Sequence, residues 1–576
     1  MTRQIPIVSN STRTNDEGNA VIGPPGAGRP RRLAALALAL LVLNSALTFQ
    51  NRWPTAGVRW VPELSIELAA LLLVLALVAA WRGTPGRAMR NALAGGYLVL
   101  VLGRYLDVTV PALMGRSINL YWDSQHVPRV AAMLVDSIAG WQLMLAGLAL
   151  LACLAASVAI LRWAFGSVAA ALARPAGRRW LGALALALLA LYGAGRLNSR
   201  LPTEHWFALP VSGMLAEQVR SMLAATVFRD RSWLAAQPPL PDSDLKQLGR
   251  GDMFVLFFES YGALVFDDPR FAVPLAGEFA ALEQSLDAAG WRSVSARVES
   301  STFGGISWLA HSSLLSGLRI ADQGDYQDLL ASDRGALAGR FAAAGYRTVA
   351  IMPGLKYPWP EGQFYRFDRV YNAERLDYTG PAYGWMVIPD QYSLYRVHQK
   401  ETTAVGRPPL FVFFPTINSH APFAPLPPYQ PDWTQFDVAA AVPAVPAAVE
   451  LNRRLDGEEL AAAYIQSVRY SLAVLGGYLR QYAPPGALLL VLGDHQPPAV
   501  VGGRDISWQV PVHLFSRNPE LVDAFVAAGF KPGMTPGAAA LGGIETLGPL
   551  LLRTLDGRQP VRAASAPVAA GEHRIR

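Results

Sequence analysis

Ala487-Leu-Leu-Leu-Val-Leu-Gly-Asp-His495 is an apolar run that stops on a glycine, a carboxylate and an imidazole. Because polar residues do not alternate within it, the run reads as a strand buried on both faces, as in a parallel sheet covered by helices. Five more short stretches read as strands, most of them nearly continuous apolar runs: Met253–Phe258, Ser293–Val298, Thr348–Met352, Leu410–Phe414 and Val510–Phe515. Helical patterns lie between them, near Leu275–Ala289, Arg334–Ala344 and Leu460–Tyr482. The alternation predicts an α/β domain with a mostly parallel sheet over 249–556. In an open sheet of this kind ligands bind beyond the carboxyl ends of the strands, so the residues that follow each strand are the ones to weigh.

Four polar positions fall there. Glu259 directly follows Met253–Phe258, and Asp494-His495 follow the quoted run. His420, in Asn418-Ser-His-Ala-Pro-Phe423, comes shortly after Leu410–Phe414. Ser307 lies in Thr302-Phe-Gly-Gly-Ile-Ser-Trp-Leu-Ala-His-Ser-Ser-Leu-Leu-Ser-Gly317, beyond Ser293–Val298. Taken singly each has a plain structural reading. The glutamate suits a solvated strand end, the histidine a loop hydrogen bond and Gly-Asp-His a turn. Ser307 opens an apolar helical stretch and suits an N-cap. It equally suits a nucleophile, because the free N–H groups of a first helical turn favour an anion beside it. Together the four positions offer a hydroxyl, two carboxylates and imidazoles, a donor set for manganese, zinc or magnesium. A bound metal lowers the pKa of a serine hydroxyl and activates it.

The first third of the chain has a different character. Of 576 residues, 52% are apolar and only 16% charged, with a net charge of +7. The arginines do not cluster into a nucleic-acid face; they punctuate long apolar runs, and no nucleic-acid partner is expected. Five runs are candidate membrane spans: Leu33–Leu47, Leu64–Trp81, Ala92–Leu113, Ile138–Trp163 and Trp180–Gly195. The first is short enough to resemble a signal peptide, but a polar leader precedes it and four further runs follow, which favours a retained helix. Arg29, Arg31 and Arg32, then Arg82, Arg87 and Arg90, then Arg174, Arg178 and Arg179 all fall on one side if every run crosses. The positive-inside rule places that side in the cytoplasm and everything after Gly195 outside. The expected organisation is a leader (1–32), a five-span membrane domain (33–196), a juxtamembrane linker (197–248), the α/β domain (249–556) and a basic disordered tail (557–576). In the linker, Glu204 to Leu234 is amphipathic and suits a membrane surface.

Arg104 and Asp107 sit within the third span, spaced to pair on one helical face. The segment Gly115–Arg129, with Tyr121, Trp122 and Asp123, reads as an aromatic anchor at the outer interface. The single cysteine, Cys153, lies in the fourth run, so the outer domain must stand on its core without disulfides. Ala421–Ala448 is proline- and alanine-rich and reads as a long loop or insertion.

Phe-Glu-Ser at 258–260, Gly-Gly-x-Ser at 304–307, His-x-Pro-Phe at 420–423 and Gly-Asp-His at 493–495, in that order behind five apolar runs, resemble the alkaline phosphatase superfamily. The likeness is to its membrane-anchored sulfatase-like branch: lipoteichoic acid synthases, phosphoglycerol transferases and phosphoethanolamine transferases. The resemblance implies a sulfatase-type fold and one divalent metal, manganese or zinc, held by Glu259, Ser307, Asp494 and His495. It implies Ser307 as nucleophile and His420 as the residue that binds the phosphoryl group or assists the leaving group, with Thr302 or Ser301 as the alternative register for the nucleophile. It also implies a phospholipid donor, a glycan or lipid acceptor and a catalytic domain outside a bacterial inner membrane. Two positions depart from the pattern. His311 stands where the family commonly has glutamate, and the family's substrate-binding His and Arg have no clean match. Gly354-Leu-Lys-Tyr-Pro-Trp-Pro-Glu-Gly362 is the candidate replacement, with Lys356 facing phosphate and Trp359 packing on substrate, or else a turn with a solvated lysine. No serine near Ser307 lies in the sequence context that formylglycine formation needs, which disfavours true sulfatase chemistry. The reading is a transferase, with a hydrolase using water as acceptor, or a non-catalytic headgroup- or glycan-binding protein, as alternatives.

Overall fold

The computed structural model describes residues 28–53, 55–197, 202–228, 232–356, 358–381, 383, 388–437, 457–503 and 506–557. Most of the expected leader, the expected tail after 557 and the later part of Ala421–Ala448 lie outside them. The chain divides into two compact units. One comprises Met1–Thr48, Pro62–Val101 and Cys153–Pro210; the other comprises Phe49–Val61, Leu102–Ala152 and Val211–Arg576.

The five expected apolar runs all form helices: α1 Gly28–Thr48, α2 Ile66–Trp81, α3 Arg87–Met114, then, after two short helices, Gly140–Leu172 and Pro175–Leu197. Four of them are long and apolar enough to cross a membrane. The exception is α2. At 16 residues it is shorter than the run Leu64–Trp81 suggested, because Ser65 accepts the Leu68 N–H and caps its start. The Asn44 amide group bonds the Glu63 carbonyl (2.7 Å) and the Ser65 N–H (2.9 Å), holding that cap in place. Within the first unit Leu43, Leu68, Leu72, Leu75, Phe165, Val168 and Leu181 form a buried cluster.

The second unit is built on a nine-stranded sheet. In chain order its strands are β1 Met253–Phe258, β2 Arg292–Glu299, β3 Arg347–Met352, β4 Arg369–Asn372, β5 Leu410–Pro415, β6 Leu488–Gly493, β7 Gln509–Ser516, β8 Lys531–Pro532 and β9 Ala540–Gly543. Their spatial order is β8-β2-β7-β6-β1-β5-β3-β4, with β9 beside β2. The body β6-β1-β5-β3-β4 is parallel, and β7 runs against both its neighbours. Alternate residues of β1 explain the unbroken apolar run. Phe254, Leu256 and Phe258 enter one core, while Met253, Val255 and Phe257 enter the other. The helices Pro269–Ala288 and Gly457–Gln481 cover the first face; Ser307–Ser316, Leu337–Ala343 and Leu547–Leu555 cover the second.

Two interface readings can be checked within this unit. Arg104 and Asp107 do pair, at 3.6 Å, and Arg104 Nε also donates to the Phe49 carbonyl at 3.0 Å. Trp122 is not an outward anchor. It is buried and packs edge-on against Tyr121. Asp123 turns back to accept both guanidinium nitrogens of Arg116.

Candidate active site

Strand register brings the first two ligand candidates together. Phe258 of β1 lies opposite Gly493 of β6 in a parallel pair, so the next residues, Glu259 and Asp494, leave the sheet side by side. On the other side of β1, Thr416 at the end of β5 accepts the Glu259 N–H through its hydroxyl. Beyond β5 the chain turns through Ser419, whose hydroxyl bonds the Glu259 carbonyl at 2.7 Å and brings His420 alongside. Ser260 has a left-handed φ of 58°, which turns its N–H onto Asp494 Oδ1 at 2.8 Å; the His495 N–H reaches the same oxygen at 2.7 Å.

Asp494 Oδ2 is therefore the oxygen left over: it is buried and has no hydrogen-bond partner. It lies 3.5 Å from His495 Nε2, which is 3.4 Å from Glu259 Oε1. The Nδ1 of His495 sits 2.7 Å from the Gln496 carbonyl, which can only accept, so the proton is on Nδ1 and the Nε2 lone pair faces the carboxylates. Potential ligand atoms of Glu259, Asp494 and His495 all lie within 4.8 Å of one another. Electrostatics points the same way. Burial and the Glu259 charge raise the Asp494 pKa to about 6. Burial would lower His495, but the two carboxylate charges outweigh it and hold it above its usual value. Burial likewise opposes ionisation of Glu259, whose pKa is nevertheless lowered by the His495 and His420 charges. Two carboxylates, a lone-pair nitrogen and an orphaned oxygen in a buried pocket fit a divalent cation, which satisfies them better than protons do.

Ser307 completes this set. It is not the N-cap. Ile306 occupies that position with φ 62° and ψ 41° and makes no side-chain cap, while Ser307 is the first helical residue. A β-branched residue in the left-handed region costs about 1–3 kcal/mol, a strain that occurs chiefly at functional sites. Its consequence here is that the Ser307 hydroxyl is spared from capping. It donates to Glu259 Oε2 at 3.0 Å, and its oxygen lies 3.1 Å from His495 Nε2. Ser307 is half-buried, whereas Ser301 and Thr302 are buried. The Thr302 hydroxyl closes the glycine turn on the Gly305 carbonyl (2.6 Å), and Ser301 accepts from Ser313.

The remaining candidates are not gathered in the same way. His311 lies one turn along the helix, its ring against Phe257 and Phe413 and its Nε2 buried without a partner. Burial pulls its pKa to about 4, which keeps it neutral despite the Asp494 charge. Lys356 is exposed. Trp359 stacks on Tyr365, whose hydroxyl meets that of Ser312, so this aromatic group adjoins the nucleophile helix through Ser312.

Sequence reasoning missed Asp390. This carboxylate, only 2% exposed, accepts the N–H groups of Ile417 and Asn418 (2.9 and 2.8 Å), and the Asn418 side chain accepts the Asp390 N–H in return. The clamp fixes the turn that carries His420. Burial pushes the Asp390 pKa up to about 7 against the pull of those two N–H groups. Asp390→Asn sets an NH2 group against a backbone N–H. It is expected to cost roughly 2 kcal/mol and about tenfold in turnover, read from the thermal midpoint and kcat. A wild-type kcat would show that the turn holds His420 without the clamp.

No family model matches the sequence, and no curated protein sequence matches it. Solved structures do resemble it. One is a protein in the alkaline phosphatase superfamily from Vibrio parahaemolyticus (15% identity, TM-score 0.35, 53% of this chain and 66% of that one). Another is the C-terminal periplasmic domain of phosphoethanolamine transferase EptC from Campylobacter jejuni (11%, 0.35, 53% and 88%). A third is the Streptococcus pyogenes phosphoglycerol transferase GacH in complex with sn-glycerol-1-phosphate (10%, 0.35, 56% and 84%).

Proposed function

We propose that the protein is a metal-dependent transferase of the membrane-anchored, sulfatase-like kind. It would move a phosphoglycerol or phosphoethanolamine group from a membrane phospholipid to a glycan or lipid acceptor outside a bacterial inner membrane. The observation that carries this reading is the Ser307 hydroxyl, spared from capping, hydrogen-bonded to Glu259 and 3.1 Å from His495 Nε2. The motif order and the helices long enough to cross a membrane support it.

Glu259, Asp494, His495 and Ser307 would hold the divalent cation, manganese or zinc. When bound, it would acidify the serine and offset charge developing on the phosphoryl oxygens. Ser307 gives up its hydroxyl proton to solvent before attack, and its ionised Oγ bonds to phosphorus as the bond to the diacylglycerol oxygen breaks in line with it. His420 Nδ1 is engaged by the Ala421 carbonyl at 2.6 Å, so Nε2 is the nitrogen that would deliver a proton to the departing oxygen. In the second half an acceptor hydroxyl gives its proton back to His420 and attacks the phospho-serine, and Ser307 Oγ leaves. If water replaces the acceptor the same steps give a hydrolase.

Intact-mass analysis of the full chain in detergent decides between these readings. The chain is incubated with Mn2+ or Zn2+ and with phosphatidylglycerol or phosphatidylethanolamine, then digested to map adducts. A phosphoglycerol or phosphoethanolamine mass on Ser307 that persists until an acceptor is added is the expected result. Steady headgroup release without acceptor supports the hydrolase. Metal binding with neither adduct nor release would eliminate both.

A further inference from the structure

The nucleophile loop is moulded against a segment that sequence reading assigned to the membrane interface. Helix α3 ends at Gly115, whose φ is +75° and whose N–H bonds the Pro111 carbonyl. A Cβ at Gly115 would overlap the ring of Phe303, four residues before Ser307. The reciprocal holds at Gly304, with φ +64°: a Cβ there would overlap the Met114 carbonyl oxygen. Two left-handed glycines thus interlock, each leaving the space that the other's segment fills. On the far side of the nucleophile, the His126 ring lies 5.1 Å from that of Trp308 at a 56° tilt. Met114–His126 therefore touches the loop both before and after Ser307. The segment is braced from within by the Arg116–Asp123 pair. From outside, the Gln218 amide bonds the Ile118 carbonyl (2.8 Å) and the Leu120 N–H (2.7 Å). All these residues belong to one compact unit.

We propose that Met114–His126 is a positioning element of the active site. The end of α3 sets the Phe303-Gly304 turn and so holds Ile306 in its strained left-handed conformation, with the Ser307 hydroxyl aimed at Glu259 and His495. The inference rests on Ser307 being the nucleophile. It assigns Gly115, Phe303 and His126 roles that act on the geometry of Ser307, through the Phe303-Gly304 turn and through Trp308. It also makes the outer end of a helix long enough to cross a membrane an integral part of the site.

The test uses the full chain in detergent with Mn2+ and bis(p-nitrophenyl) phosphate, a soluble phosphodiester. Gly115→Ala is expected to lower kcat tenfold or more, since displacements of about 1 Å cost up to about 100-fold, while Mn2+ affinity falls by no more than the roughly tenfold expected for loss of the Ser307 hydroxyl. Adding Phe303→Ala to Gly115→Ala should recover activity to within threefold of Phe303→Ala alone, because the overlap is removed. His126→Ala, which strains no backbone, should lower kcat several-fold, and His126→Phe should restore it by keeping a ring on Trp308. A role in folding alone would instead lower Mn2+ affinity by well over tenfold and lower the thermal midpoint together with kcat. Wild-type kcat in both Gly115→Ala and His126→Ala would overturn the proposal, as would a double variant no better than Gly115→Ala. If Gly115→Ala does not fold, the His126 pair decides. Wild-type turnover unaffected by Ser307→Ala would defeat the nucleophile reading itself and is scored separately.

Discussion

Ser307→Ala is expected to abolish phosphoryl transfer, lowering kcat on the order of 1000-fold or more, while the fold and most metal affinity survive. Removing the hydroxyl takes away the attacking atom. Glu259, Asp494 and His495 still converge within 4.8 Å of one another and should retain the cation with affinity reduced about tenfold. The residue is the first of its helix and caps nothing, so the substitution carries no capping penalty. Ser307→Thr keeps a hydroxyl at that position and should recover activity to within about 30-fold of wild type, limited by the stiffness of a β-branched χ1 beside strained Ile306. Thr302→Ala separates the two registers. The Thr302 hydroxyl only closes the turn onto Gly305, so its loss should cost a few-fold in kcat. An adduct that persists in Ser307→Ala and disappears in Thr302→Ala would move the nucleophile to Thr302.

What the sequence revealed of the fold follows from burial. β1, β5 and β6 are unbroken apolar runs because their alternate side chains enter two different cores, and all six expected strands begin and end within a residue or two of their expected bounds. Arg369–Asn372 was not legible because an edge strand with one neighbour need not be apolar, and Lys531–Pro532 and Ala540–Gly543 are too short to show a period. Glu259, Asp494 and His495 could be read off strand ends because parallel register carries consecutive strand ends to one edge. Asp390 could not, since its partners Ile417 and Asn418 lie 27 and 28 residues away along the chain and only the folded turn joins them. The same holds for Ile306: no local preference puts isoleucine in the left-handed region, and the tertiary contacts that hold it there have no sequence period. Glycine at 115 and 304 was visible, but the interlock that requires it was not.

Metal-free protein should lose stability as pH rises from about 4 to above 6.5, and a saturating divalent cation should reverse the part of the loss that arises at Asp494 and His495. The sign follows from the raised groups: Asp494 and His495 at the candidate metal site, and Asp390, raised to about 7, whose loss of the same sign remains with metal bound. Asp494 titrates near 6 in the fold, against about 3.9 for an unstrained aspartate, so the folded state binds more protons across that interval and stability falls with rising pH. His495 is also held above its usual value; its contribution is complete below about 6.5 and disappears as pH passes through its folded pKa. Glu259 acts oppositely, since its lowered pKa gives stability that is lost as pH falls below its usual range, but that effect is spent before Asp494 ionises. For Asp494 the expected loss is about 3 kcal/mol, or roughly 6 °C in the thermal midpoint. The physical cause is the ionisation of a second buried carboxylate beside the first, with one of its oxygens unpartnered. A cation occupying that place converts the repulsion into ligation, so affinity should climb with pH through about 6 as protons are displaced. Asp494→Asn gives the crossed result that isolates the effect. At pH 7.5 the metal-free variant should melt higher than metal-free wild type, because the second charge is gone, yet it should gain little from Mn2+ or Zn2+ and should not turn over. Scanning calorimetry from pH 5 to 8, with and without metal, measures all of this on one pair of proteins. A metal-free midpoint that rises with pH, or an Asp494→Asn protein that melts lower than metal-free wild type and still gains the full metal increment, would mean that Asp494 stabilises the fold through its hydrogen bonds to Ser260 and His495 and is not a ligand.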